Sequence, residues 1–147
     1  MVCPHPDDEV IGCGGMLAKY KQHFDVLCCG SAGVAFGDIS AQARSDIRIK
    51  EFNALMQYLG IQHHWIFETY GVPPFFDTLN SYATEYEKIL KSGEYDYLFL
   101  PHPGESHPEH RFITNELFKQ LIGRVWNGEG GGGEDSFLRS VDAAGRP

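Results

Sequence analysis

MVCPHPDDEVIGCGG, residues 1–15, decides how this chain is read. An apolar stub, Met1–Pro4, runs into His5, Pro6, Asp7, Asp8 and Glu9, and a glycine cluster follows at once. A short apolar segment that stops at a polar turn and restarts as a helix is the opening of a βα unit. The turn carries a histidine, two aspartates and a glutamate, all side chains that bind metals or move protons. Such residues at one strand end raise the question of what they hold and which other segment completes the site.

Working outward, three more apolar stretches read as strands, at about Phe24–Gly30, His64–Glu68 and Tyr97–Pro101. VLCC, WIF and YLFL are near-continuous apolar runs, as strands covered on both faces require. Helical patterns lie between them. The clearest is Ala41–Leu59, where Ile49, Phe52, Leu55, Met56 and Leu59 recur at helical spacing between a capping Ser40 and a stopping Gly60. A second spans about Leu79–Lys91, with Thr78 or Asp77 as its cap. A third spans about Pro108–Ile122, and a shorter one covers Cys13–Gln22. The order β-α-β-α-β-α-β-α predicts an α/β fold of the Rossmann-like, doubly wound kind, a three-layer α/β/α sandwich around a parallel sheet. In that order the first and fourth strands are neighbours, and the crevice at their C-terminal ends is where ligands bind.

With 147 residues the chain suits one domain. Net charge is −8, which argues against a nucleic-acid partner, since that would want a basic face. No apolar run approaches the roughly 18 residues of a membrane span, and the start lacks the form of a signal peptide. The cysteines, Cys3, Cys13, Cys28 and Cys29, form no CxxC motif and read as reduced thiols of a cytoplasmic protein. The division expected is 1–123 for the domain and 124–147 for a flexible tail, because WNGEGGGGEDSFLRSVDAAGRP is glycine-rich and loses helical periodicity.

The partner of the opening turn is Ser106-His107-Pro108-Glu109-His110, shortly after the fourth apolar stretch. Pro108 fits the first turn of a helix capped by His107 or Ser106, where its missing N–H costs nothing. His110 then falls close to His107, and in step with Ile113 and Leu117 it faces inward. His5 and Asp8, three apart around a turn, point at one centre. Two imidazoles and a carboxylate with room for water describe an open catalytic zinc site. A spare carboxylate beside it suits a general base, and a spare histidine suits an acid or an oxyanion donor.

PHPDDE with GCGG behind it, and SHPEHR later, resemble the signatures of the LmbE/PIG-L family of zinc-dependent N-acetylglucosaminyl deacetylases. Arg48-Ile49-Lys50-Glu51, in a helix that ends on Leu59-Gly60, resembles that family's R-x-x-E helix. The likeness covers about residues 2–122. It implies a Rossmann-like fold and removal of acetyl groups from amino-sugar conjugates, giving acetate and a free amine. It implies Zn2+, or another divalent ion such as Fe2+, held by His5, Asp8 and His110. Asp7 matches the family's general base. His107 matches the histidine that stabilises the tetrahedral intermediate or protonates the amine, and Arg48 matches an arginine that contacts substrate. The implied partner is a small-molecule amino sugar.

Other residues weigh differently. Glu9 hydrogen-bonds the loop or caps the following helix. Gly14 and Gly15 form no dinucleotide fingerprint. His102 reads as exposed, and His63 and His64 as a strand start. Tyr70, Phe75 and Phe76 form either a sugar platform or ordinary loop packing. The first strand is short and the tail departs from the family, so the chain reads as a fragment, a truncated product or a minimal form. The alternatives to a deacetylase are therefore a catalytically silent metal- or carbohydrate-binding module, and an amidase of the same fold acting on a thiol conjugate.

Overall fold

The computed structural model describes residues 1–31, 37–69 and 75–126. The chain divides into two compact units, Met1–Phe75 and Phe76–Pro147.

The first unit is an α/β unit built on a parallel three-stranded sheet. Its elements are β1 (Val2–Cys3), α1 (Asp8–Tyr20), β2 (Val26–Cys28), α2 (Ala41–Leu59) and β3 (His64–Ile66). The strand order is β1-β2-β3, all parallel. Val2 and Cys3 face Leu27 and Cys28 in register, and Val26, Leu27 and Cys28 face His64, Trp65 and Ile66. The central β2 is buried along its whole length, which is why its residues are apolar without alternation. Cys28 and Cys29 are both fully buried, and all four cysteines are free.

Helix α2 has the bounds its sequence predicts. The Ser40 hydroxyl accepts the Ala43 N–H at 3.1 Å. Gly60 ends the helix at φ 75°, where a Cβ would be strained, and Ile61 N–H closes on the Met56 carbonyl at 3.0 Å. Phe52 and Met56 carry its buried stripe. Ser40→Ala is expected to lower stability by about 1 kcal/mol, read as a fall in urea midpoint with unchanged slope.

A polar knot fastens the sheet to α2. Ser31 Oγ donates to the Thr69 carbonyl at 2.8 Å, accepts the Thr69 N–H at 2.9 Å, and so accepts from Ser45 Oγ at 2.5 Å. All three residues are buried. Beside the knot, a Cβ added at Gly30 would lie 2.5 Å from Thr69 Oγ1. Gly30→Ala should therefore destabilise by about 1–3 kcal/mol, checked by thermal unfolding.

Helix α1 begins at Asp8, five residues before the expected Cys13 start, and ends at Tyr20. The GCGG run hid its first turns, because glycine in a helix interior costs about 1 kcal/mol relative to alanine. The backbone breaks helical geometry at Cys13 (φ −140°, ψ 17°), so the element is two helical pieces joined by a kink.

The second unit is helical among its described residues. Phe75–Ser81 forms α3, which begins at the unit boundary, and Ala83–Ser92 forms α4. The single helix expected over Leu79–Lys91 is thus two, parted at Tyr82 (φ −90°, ψ 2°), and Thr78 and Asp77 lie inside α3 rather than capping. Pro108–Phe112 forms α5, a π-turn covers Ile113–Phe118, and α6 is Lys119–Trp126. The π-turn lets consecutive Leu117 and Phe118 both be buried. Phe118 stacks on Tyr86 at 5.9 Å, and Leu90 and Leu121 complete that core. Helix α6 continues to Trp126, so residues 124–126 are helical rather than the start of the flexible tail expected at 124; residues 127–147, with the glycine-rich stretch from 128 to 133, lie outside the described residues, as does Tyr70.

Tyr97–Pro101 is not a strand. An extended segment becomes a strand only where a neighbouring strand takes its backbone groups, and at the C-terminal end of this one, and just beyond it, carbonyls accept from side chains. Thr114 Oγ1 donates to the Pro101 carbonyl at 2.9 Å and Asn115 Nδ2 to the Pro103 carbonyl at 2.9 Å. Tyr97 is left 78% exposed. Among the described residues β1 is an edge strand, without the expected fourth-strand neighbour.

Candidate active site

In the first unit the sheet ladder runs past its strands and builds the turn that follows β1. Cys29 N–H reaches the Cys3 carbonyl at 2.8 Å, and Gly30 N–H reaches the Pro4 carbonyl at 3.1 Å. The next residues fold back on themselves. Asp8 N–H donates to the His5 carbonyl at 3.3 Å, and His5 N–H donates to Asp8 Oδ2 at 2.9 Å. The same carboxylate oxygen lies 3.4 Å from His5 Nδ1. Two donors bound tetrahedrally at ordinary zinc distances stand roughly 3.4 Å apart, so this pair fits a single divalent ion. Burial pushes the neighbouring Cys3, Cys28 and Cys29 thiols up.

Asp7 is turned the other way. Its φ is 130° and ψ −30°, and it is the only non-glycine residue at positive φ among those described. Its carbonyl accepts the Val10 and Ile11 N–H groups at 3.1 and 2.9 Å, which starts α1. Its N–H donates to Glu9 Oε2 at 3.0 Å. Its carboxylate is 60% exposed, with Arg48 Nη2 3.4 Å away. The same Nη2 donates to the Pro6 carbonyl at 2.8 Å. Glu9 is 2% exposed, and burial raises its carboxyl above the usual range while the Asp7 N–H pulls it back. The structure therefore gathers His5, Asp7, Asp8 and Arg48 around one turn.

In the second unit His107 occupies the cap of α5 through its backbone, with φ −69° and ψ 125° and Pro108 behind it. Its carbonyl accepts Arg111 N–H at 3.2 Å, while its imidazole makes no capping bond. His110 sits one turn on, and the two rings lie 4.7 Å apart at 40°. Arg111 Nη1 ties down the approach by bonding the Glu105 and Ser106 carbonyls at 3.2 and 3.0 Å. The backbone N–H of Ser106, and then its hydroxyl, hold the Glu105 carboxyl below its usual range.

His102 is exposed and accepts Gly104 N–H at 3.0 Å. His63 pairs with Asp25 at 3.2 Å, and His64 starts β3. The Phe76 ring packs on Phe112 at 4.9 Å. Glu9 is the residue whose part the sequence least revealed. Its signal was there as a glutamate two past the helix cap, a relative of the capping box in which a helix acid reaches back to the cap N–H.

An imidazole nitrogen and a carboxylate oxygen 3.4 Å apart, with a second, largely exposed carboxylate beside them, are groups that could hold a divalent ion and take a proton. The family model of the GlcNAc-PI de-N-acetylases, PIG-L, matches residues 1–122, and the chain belongs to that family. It is 28% identical to the diacetylchitobiose deacetylase of Thermococcus kodakarensis over a 120-residue alignment taking in 74% of this chain and 43% of that protein. It also resembles the structure of N,N'-diacetylchitobiose deacetylase from Pyrococcus horikoshii complexed with its inhibitor MPG. That match has a TM-score of 0.64 and 28% identity, over 84% of this chain and 48% of that one. The chain thus spans less than half the length of these relatives. No helix among the described residues is long and apolar enough to cross a membrane.

Proposed function

We propose that residues 1–123, with α6 running on to Trp126, carry a metal-dependent N-deacetylase that hydrolyses the acetamide of an N-acetylglucosamine-type conjugate. The observation that carries this reading is the pairing of PHPDDE, residues 4–9, with SHPEHR, residues 106–111, inside one family match.

In this reading His5, Asp8 and His110 hold the ion, Zn2+ in the first instance and Fe2+ as the alternative, since two imidazoles and a carboxylate admit both. The ion would supply Lewis acidity, polarising the acetamide carbonyl and making water more acidic. The chain's own groups do the rest. Asp7, whose carboxylate is largely exposed, takes a proton from the attacking water. The water oxygen bonds to the acetamide carbon, and His107 donates a hydrogen bond to the oxygen that gains charge there, or a proton to the nitrogen. The C–N bond then breaks to give acetate and a free amine. Arg48 has five N–H donors, and those not used on the loop are available to sugar hydroxyls.

The test is to load the chain with zinc, measure bound metal, and assay acetate release from N-acetylglucosamine derivatives, with N,N'-diacetylchitobiose among them. Bound metal with acetate release supports the proposal. No bound metal after reconstitution refutes it. Sugar binding without acetate release would favour the silent binding module, and a different released acid or amine would favour the thiol-conjugate amidase.

A further inference from the structure

We infer that Glu9 and Arg48 are positioning residues for Asp7, gripping the two ends of the Pro6–Asp7 peptide so that Asp7 stays at its positive φ. The inference rests on Asp7 being the base of the proposed deacetylase.

The Pro6 carbonyl and the Asp7 N–H belong to the same peptide group. Arg48 Nη2, from α2, donates to its oxygen at 2.8 Å. Glu9 Oε2, from α1, accepts from its nitrogen at 3.0 Å. Turning this plane over would bring the φ of Asp7 from 130° into the ordinary negative range and relieve its strain. It would also break both hydrogen bonds. Glu9 is almost fully buried, so water cannot readily replace the lost bond. Asp8 and His5 are tied to each other by separate bonds, through His5 N–H and the Asp8 N–H. The clamp therefore sets the direction of the base independently of the donor pair. It also gives Arg48 a task besides substrate contact.

The first test is kinetic, on the metal-loaded chain. Glu9→Met fills the buried space but cannot accept the N–H, and kcat should fall by about 10–100-fold with KM and bound metal little changed. Glu9→Gln keeps an acceptor oxygen and should restore kcat to within about 3-fold of the parent. Equal loss in both variants, or loss in neither, overturns the role of Glu9. Arg48→Met should lower kcat more than it raises KM, whereas a raised KM with unchanged kcat returns Arg48 to substrate contact alone.

The second test needs no activity. Asp7→Gly relieves the strain, so it should raise the Tm of the metal-free chain when Glu9 is present. With Glu9→Met the plane is already free to turn, and the gain should disappear. The same Tm change in both backgrounds overturns the clamp. Absence of acetate release by the parent, with this coupling intact, would count against the proposed function and leave the clamp standing.

Discussion

Asp7→Asn is expected to keep the metal and to lose acetate release by about 10²–10⁴-fold. The amide has nearly the shape of the carboxylate and cannot take a proton from water. The hydrogen bonds on the Pro6 carbonyl and the residue-7 N–H do not use the carboxylate of residue 7, so the turn should keep its φ of 130°. The ion pair given up is the 3.4 Å approach of Arg48 to a carboxylate that is 60% exposed, which is worth little to folding. The metal should stay because the proposed site draws its donors from His5 and Asp8, not Asp7, and the Asp8 carboxylate is held by the His5 N–H and lies 3.4 Å from the ring. Metal content and turnover, measured on the same preparation, check the result. Equal metal loss in Asp7→Asn and Asp8→Asn would refute the division of labour between the adjacent aspartates.

The elements that were legible in the sequence are those set by local rules. Helix α2 is one, since Ser40, the apolar stripe and Gly60 lie within its own span. The continuous apolar run of β2 is another, because burial on both faces leaves a local mark. Tyr97–Pro101 carried the same mark, but a strand also needs a partner, and Thr114 and Asn115 take the nearby carbonyls instead. The break at Tyr82 and the π-turn at Ile113–Phe118 follow from how the helices of the second unit pack on Tyr86, Leu90 and Phe118, which no short window contains. At the site the ligand-type residues were plain from their motifs. The backbone that aims them was not, since φ at Asp7 is maintained by Arg48, forty-one residues away, as well as by Glu9.

His110→Ala should abolish tight metal binding. An open site with three protein ligands has none to spare, and even groups that only support a ligand are worth about 10–100-fold in affinity, so loss of a ligand itself should exceed that. The substitution should not unfold the second unit. His110 lies within α5, where alanine is a good helix former, and the helix start is held by the His107 carbonyl, Pro108 and the Arg111 side chain rather than by the His110 ring. His107→Ala sharpens the comparison. Its ring lies 4.7 Å from that of His110 and makes no capping bond, so alanine there leaves the backbone cap in place. If His107 serves the reacting oxygen or nitrogen and not the ion, that variant keeps the metal and loses turnover. Stability reads the same distinction without substrate, because a ligand bound only to the folded state raises Tm by mass action. Added zinc should raise the Tm of the parent and of His107→Ala, and leave that of His110→Ala unmoved. A zinc-induced rise of equal size in all three would remove His110 from the ligand set.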